Sequence, residues 1–581
     1  MSFKIQRSFA AGELSPAYHS RADTSRYAEG VKTALNAVVL RTGGLQSRAG
    51  FQYLGTTKSS GAARLEAVVF DTDANYILEF GNLYVRFWKD GAAITATVTG
   101  AWADATAYTA GVVVSYSGTN YVCLVAHTSV LATDRPSTGS SWETKWYALT
   151  GTTYELPTPY TTAQLFVVQM GYEYNVITLT HSSHPPATLT RISNNVWDYA
   201  ETVLTETVTT PGNVAVSGTG GTGWGYTVTA IVDGVESTAG AYVRTNVVSG
   251  GVPFAIYTAL ATTPRTVTWN AVSGATAYRV YANELNAFTA TELRGEGTAT
   301  TFVDNGGFAT SYTDPPTVGW TLAGAGTYPA VVAAYQQRLI LAASTNEPDV
   351  AQASKVAAPR VFDVSDPIVD SDALSWRQVG RRLNRIRHFA EVAQVLMQFS
   401  DAGESIIQGD TDGILRPGEV NPRQFSENGT AINPSPLVVN DSALYVQARG
   451  SLIRDVAPMP VSGFAGSDLT LMSAHLTDGY TVSDWCYQQT PNSTVWIVRS
   501  DGALLSLTYV RELGVLGWAK HTTDGTFESV ACVVEGTRDV VYAVVNRTIN
   551  SSTVRYMERM TDRLADTEDL VLMDAAVTVS A

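Results

Sequence analysis

Short apolar runs separated by polar turns dominate the chain. Leu65-Glu-Ala-Val-Val-Phe70 and Tyr76-Ile-Leu-Glu-Phe80 flank the turn Asp71-Thr-Asp-Ala-Asn75, and Leu83-Tyr-Val-Arg-Phe-Trp88 follows, ending at Asp90-Gly91. Runs of this length bounded by turn residues predict strands, here three strands of a four-stranded antiparallel unit. The same phrase returns at 164–180, 330–343, 387–407, 437–453, 485–508 and 529–557. Its clearest copy is Thr494-Val-Trp-Ile-Val-Arg499, Ser500-Asp-Gly502, Ala503-Leu-Leu-Ser-Leu-Thr-Tyr509. A β-unit recurring about every 40–50 residues predicts a propeller, in which each blade buries its faces against its neighbours. A set of unrelated β-meanders is the alternative, since no WD-type dipeptide marks the repeats.

The N-terminal stretch from Phe9 to Phe51 breaks this pattern. Gly12, Pro16, Gly30, Gly43, Gly44 and Gly50 set turns, and Asp23-Thr-Ser25 precedes Tyr27, Val31 and Leu35 at helical spacing. These residues predict a short amphipathic helix, followed by the strand-like Val38-Val-Leu40. The whole stretch reads as a compact basic clasp (Arg21, Arg26, Lys32, Arg41, Arg48) that needs a large surface to pack on.

Composition supports an all-β protein. Only 16% of the 581 residues are charged, 45% are hydrophobic, and Gly (48) and Tyr (28) are plentiful. The net charge of -15 argues against a surface that grips phosphate backbones. Cys123, Cys486 and Cys532 lie far apart, suggesting neither a disulfide framework nor a zinc site. No apolar run has the length of a secretory signal or a membrane span, so synthesis and assembly in a cytoplasm are expected.

Two stretches interrupt the repeat, and with them the domain organisation reads as a clasp (1–62), a first blade (63–92), an insertion (93–154), propeller continuation (155–206), a second insertion (207–325) and the remaining blades (326–581). The first insertion carries Ala107-Tyr-Thr-Ala-Gly-Val-Val-Val-Ser-Tyr-Ser-Gly-Thr-Asn-Tyr-Val-Cys-Leu124 and Trp142-Glu-Thr-Lys-Trp146. This Y-x-x-G…V-x-Y-x-G-x-x-Y…W order resembles the small carbohydrate-binding modules appended to chitinases, in which exposed aromatics stack on sugars. Trp102, Tyr108, Trp142 and Trp146 are the candidate glycan contacts. A domain this small also needs aromatics for its core, and Trp102 and Trp146 fit that role. The second insertion has four Arg and no Lys, and Val267-Thr-Trp-Asn-Ala-Val-Ser-Gly-Ala-Thr-Ala-Tyr-Arg-Val-Tyr281 with Tyr312-Thr-Asp-Pro-Pro316 resembles a fibronectin type III domain, a spacer or docking platform.

Catalytic signatures are weak. Gly218-Thr-Gly-Gly-Thr-Gly223 matches G-x-G-x-x-G, but a strand pattern follows where a dinucleotide site needs a helix N-terminus. Asp71 to Glu79 lacks the glycine and the glutamate of a calcium loop. His181 and His184 have no third ligand nearby, and no G-x-S-x-G or H-E-x-x-H occurs. No cofactor or metal is expected, and the chain reads as a non-enzyme, with a propeller-type glycosidase built on paired carboxylates as a minority alternative. Asp363, Asp366, Asp370 and Asp372 precede Arg377, Arg381, Arg382, Arg385 and Arg387, an order that suits either internal pairing or a contact between subunits.

Residues at both ends carry a further resemblance. They are Phe9-Ala-Ala-Gly-Glu-Leu-Ser-Pro16, Arg21, Asp23, Tyr27, Gly30, Asn36, Gly43-Gly44, Arg48 and Gly50, then Tyr487-Gln488, Pro491, Val495-Trp496, Asp501-Gly502, Leu507-Thr-Tyr509, Gly517-Trp518 and Glu558. In this order the chain resembles the tail nozzle proteins of short-tailed bacteriophages, also called tail tubular protein B or stabilisation protein. The resemblance implies a virion tail subunit, assembled in the host cytoplasm as a homo-hexameric ring that continues the DNA-ejection channel below the adaptor and anchors tail fibres or spikes. It further implies viral DNA passing through the lumen without sequence-specific binding, with Arg21, Arg41 and Arg48 as candidate adaptor contacts; the acid-then-base order adds Arg381 and Arg385 as candidate subunit contacts, and the Gly/Pro/Ser-rich turns at 409–418 and 460–467 are candidate gates. A tail-associated protein that binds a host surface glycan or receptor is the alternative function.

Overall fold

The computed structural model describes the chain except for residues 1–5, 72, 205–207, 218–224, 233–234, 241, 245–263, 284–291, 306–313, 319–321, 323, 366–367, 379–383, 410–411, 459–462, 564–570 and 578–581. Its core is a β-propeller of seven antiparallel four-strand units. Blade 1 comprises Arg64–Val69, Asn75–Gly81, Tyr84–Lys89 and, after the first insertion, Glu155–Pro157. Blade 2 runs from Gln169–Glu173 to Val196–Glu201, blade 3 from Val331–Tyr335 to Leu374–Arg377, and blade 4 from Ile386–Val392 to Asn421–Ser426. Blades 5 and 6 run from Leu437–Val439 to Phe464–Asp468 and from Val482–Gln488 to Val515–His521. Blade 7 takes Thr526–Glu535, Arg538–Ile549 and Ser552–Met560 from the C-terminal region and its fourth strand, Phe51–Thr56, from the N-terminal one.

The period-two alternation of a strand explains why the runs are apolar on both faces. In Thr494–Arg499 every residue is buried. Val495 and Ile497 pack with Val439 and Leu444 of blade 5, whereas Trp496 and Val498 pack with Phe527, Val530 and Val541 of blade 7. Blade 1 repeats the division: Tyr76, Leu78 and Phe80 face Ile177 and Leu189 of blade 2, and Ile77 faces Ala531 and Val533 of blade 7. Blade 7 therefore packs back on blade 1.

Polar groups brace the innermost strands. Arg64 of blade 1 donates to the carbonyls of Leu165 (2.8 Å) and Val168 (2.7 Å) at the start of blade 2. Gln169 donates to the Arg387 carbonyl (2.6 Å) and to Nδ1 of His388, whose Nε2 donates to the Ala431 carbonyl (3.1 Å). Burial holds His388 down at about 4, so it stays neutral in this chain of bonds. Between blades 6 and 7 the Asp484 carboxylate accepts from Ser529 Oγ and the Val530 amide, and Ser529 Oγ in turn accepts from the Leu65 amide (2.9 Å) of blade 1.

The clasp packs on its own propeller. Gly12 pairs with Trp518, adding Gly12–Glu13 and Gly30–Val31 to the outer edge of blade 6. Gly12 has φ +61°, and a β-carbon there would collide with the Trp518 backbone, so only glycine fits. Glu13 accepts from the Ala34 amide (2.7 Å) and His475 Nε2 (2.9 Å). The predicted amphipathic helix is a single 3-10 turn, Ser25–Glu29, and Tyr27 and Leu35 are exposed. Five residues are too few to sustain an α-helix, and Gly30 turns the chain into a strand so that it can pack against Leu14.

The second insertion folds as two packed sheets. One holds Ala215–Ser217, Arg265–Thr268 and Thr301–Asp304; the other holds Gly225–Val232, Val235–Glu236, Ala277–Asn283 and Glu292–Gly297. Trp269 and Tyr278, the pair singled out in the sequence, meet between them at 5.4 Å. The glycine motif at 218–223 lies outside the described residues.

Asp484 supplies a pH test of the brace. Burial raises its carboxyl to about 7, against opposing help from Arg64 and Ser529. A carboxyl raised above its unfolded value favours the fold at low pH, and that contribution is lost as pH rises from about 4 through about 7. Chemical denaturation across pH 5 to 8 should show Asp484→Asn losing less stability with rising pH than the parent chain. Parallel pH profiles would remove Asp484 from the account.

Candidate functional site

The first insertion begins where blade 1 pauses after Tyr84–Lys89 and ends where Glu155–Pro157 completes that blade. Its sheet orders Val98–Ala101, Val113–Tyr116, Thr119–Cys123 and Trp146–Ala148, with a small ladder of Ala107–Tyr108 and His127–Thr128 beside it. Ser117 and Gly118 both have positive φ, the backbone a two-residue hairpin requires, and this fixes the register that sets Val114 opposite Tyr121.

Alternation again gives the sheet two faces. Val113, Val122, Tyr147 and Leu149 join the core formed by Phe87, Tyr154 and Trp197 of the propeller. Val114, Tyr121, Cys123 and Trp146 form a second core, against which Trp102, Tyr108, Tyr116 and Trp142 are half-buried. The module is thus fused to the propeller on one side and aromatic on the other. The Tyr154 hydroxyl secures the joint, within 3.0 Å of the carbonyls of both Gly111 and Trp197 and accepting from the Trp197 amide (3.1 Å). Gly111 has φ +81°, and a β-carbon would meet the Trp197 carbonyl.

The four candidate aromatics separate by burial. Trp146 is 1% exposed and stands edge-on to Tyr108 (5.1 Å) and His127 (5.3 Å), so it is a core residue and cannot stack on a ligand. Tyr108 is partly available, but its hydroxyl is held by the Ala103 amide (2.8 Å). Trp102 lies edge-on to Tyr116 at 6.0 Å, and Trp142 edge-on to Tyr121 at 5.8 Å. Trp102, Tyr116 and Trp142 are therefore half-buried aromatics on the same core, with Trp102 and Tyr116 as one pair and Trp142 against Tyr121. Tyr116 was not among the sequence candidates; its place just before the Ser117-Gly118 turn, on the same strand face as Val114, is the signal that marks it.

A Cys123, His127, Asp134 constellation in the same module looks nucleophilic and is not. His127 Nδ1, 3.7 Å from the sulfur, donates to the Val125 carbonyl at 2.7 Å and has no lone pair free to take a thiol proton. Burial pushes the Cys123 thiol up to about 11. The funnel at the propeller axis, about 980 Å³, has acids at its rim, but each is neutralised: Asp401 by Arg387, Asp501 by Arg499, and Glu528 by Arg555.

The candidate contact arginines have mixed surroundings. Arg48 is buried, forks onto Asp574 (2.8 and 3.0 Å) and lies over Phe51, so its charge is committed within the chain. Arg21 pairs with Asp23 at the surface (2.9 Å), and Arg41 is exposed. Of the acid-then-base segment, Asp363 and Asp372 meet Lys355 (3.3 and 3.1 Å), Asp370 meets Arg416 (3.2 Å) and Arg377 meets Glu347 (3.0 Å). Asp366, Arg381 and Arg382 lie outside the described residues, as do 410–411 and 460–462 of the gate loops. Arg385 is half-buried, and its guanidinium has no partner among the described residues.

Comparison with known proteins matches residues 101–146 to carbohydrate-binding module family 5/12. No curated protein matches the chain. Among solved structures, apo AztD from Citrobacter koseri is similar with a TM-score of 0.25 and 11% identity, over 58% of this chain and 98% of that one. A likeness of that size carries no functional argument.

Trp146→Ala should cost about 3–5 kcal/mol of the module's stability, whereas Trp142→Ala should cost far less because its ring is partly solvated. Local opening free energies from hydrogen exchange at 98–148 would measure both. Equal losses would refute the division into core and surface aromatics.

Proposed function

We propose that the chain is a non-catalytic scaffold that displays a glycan-binding module, and that the assembly it serves is the tail nozzle of a short-tailed bacteriophage. The match of residues 101–146 to a carbohydrate-binding module, with Trp102, Tyr116 and Trp142 half-buried on the side away from the propeller, supports the first half. Aromatic faces bind sugar rings through their apolar C–H surfaces, and ring rigidity keeps the entropic cost low. The joint at Tyr154 fixes the orientation of this face relative to blades 1 and 2.

The nozzle reading draws support from convergence. The two regions that carry the family resemblance, hundreds of positions apart in sequence, meet in the fold: Gly12 pairs with Trp518, Gly517 lies against Val39 of the clasp, and Phe51–Thr56, just after Gly50, pairs with the strand that holds Glu558. Tyr487, Val495 and Trp496 pack in the interfaces of blade 6, the blade that Gly12 joins. A conduit subunit gains from having its N-terminal and C-terminal regions tied together, and the pairing of Phe51–Thr56 with Ser552–Met560 supports that reading. Arg41, exposed, and Arg21, exposed though paired with Asp23, are better placed than the buried Arg48 to meet an adaptor.

Incubated with insoluble chitin, the full chain should be depleted from solution, and Trp142→Ala or Trp102→Ala should weaken retention about tenfold or more. Retention unchanged in both variants would end the glycan reading. A chain lacking residues 1–50 keeps the Phe51–Thr56 strand and is expected to fold, yet to lose co-sedimentation with the phage's adaptor ring. Full adaptor binding by that folded truncation would leave the clasp as an intrachain lid only.

A further inference from the structure

We propose that a cavity between the inner strands of blades 2, 3 and 4 binds a small tetrahedral oxyanion of the phosphate or sulfate class, with Arg385 as its charge partner. The cavity, about 170 Å³, is lined by Gln169, His181, Ser182, Arg385 and Arg387 over an apolar floor that includes Val331 and Ile386. It adjoins the axial funnel, with which it shares Arg387 and Ile432. It lies apart from the aromatic module and does not depend on the function proposed above.

Charge balance carries the argument. Arg385 and Arg387 both line the cavity, and Asp401, the carboxylate beside them, is forked onto Arg387 (Nη2 to Oδ2, 2.9 Å). Arg385 is left half-buried with no hydrogen bond or ion pair from its guanidinium to any described residue. Burial lowers its pKa and the neighbouring Arg387 pushes the same way, together outweighing the opposite pull of Asp401. An unpaired, partly desolvated guanidinium is costly, and an anion in the cavity removes that cost.

The other polar lining groups donate or are already occupied. His181 Nδ1 accepts from the Ser183 amide (3.1 Å), so its proton sits on Nε2, and burial together with His184 holds it down at about 4 and hence neutral. Ser182 also lines the cavity. The Gln169 amide nitrogen is engaged by Arg387 O and His388. No carboxylate lines the cavity among the described residues. A guanidinium with an imidazole N–H suits the several acceptor oxygens of a tetrahedral anion.

The test is titration calorimetry and thermal melting of the full chain with inorganic phosphate, sulfate, acetate and chloride at equal ionic strength. Phosphate or sulfate should bind at one site and raise the melting temperature above the chloride value; Arg385→Gln should weaken binding about tenfold or more, and Arg385→Lys should retain part of it. In chloride alone Arg385→Gln should melt at or above the parent chain, because it removes an unpaired cation. A merely structural arginine would give a lower melting temperature there, and that result would overturn the site. So would a phosphate response equal to chloride, a response unchanged in Arg385→Gln, or a response to acetate alone.

Discussion

Blade 7 has three strands of its own, and the pairing of Phe51–Thr56 with Ser552–Met560 supplies the fourth. The central strands of this propeller are buried on both faces, so an incomplete blade would expose an edge and part of two cores. The pairing ties the first 60 residues to the last 30, and the rest of the N-terminal segment then has a wall to lie on. Within the same blade Glu558 is fully buried and forks onto Arg547, an arrangement in which losing one partner costs about 3–5 kcal/mol. Arg48 on Asp574 repeats the device one layer outward and brings the C-terminal segment to the clasp.

The same two-faced burial explains how an inserted module can be part of the scaffold. Its sheet gives one face to the propeller core and keeps aromatics on the other, so a ligand held at Trp102, Tyr116 and Trp142 would pull on blades 1 and 2 directly. Lys58 reinforces the joint by meeting Glu155 and the Tyr147 hydroxyl. A module fused in this way differs mechanically from one on a flexible linker, because displacement at the module is shared with the propeller.

Much of the fold was legible because it is written in local pattern. Strand runs, turn residues and their recurrence located all seven units, and Trp269 and Tyr278 marked the second insertion. What failed were features decided by distant partners. Periodicity at Tyr27, Val31 and Leu35 suggested a helix, but the surface of blade 6 recruits Gly30 and Val31 as strand. Trp142 and Trp146 look alike in sequence, and only the folded sheet places one at the surface and one in the core. Arg48 read as a free contact residue because Asp574 lies 526 positions away. Among the described residues of 363–387, Asp363, Asp370, Arg377 and Arg387 meet Lys355, Arg416, Glu347 and Asp401, partners that their order in the segment does not reveal.

Imaging of the assembled particle tests the central claim most directly, because a scaffold that presents a glycan-binding face at the side of a DNA conduit must occupy a defined place in it. Electron cryomicroscopy of the virion tail should show six copies around the channel below the adaptor, with the module's aromatic face directed outward. A trimeric spike, or a chain with no place in the tail, would contradict it.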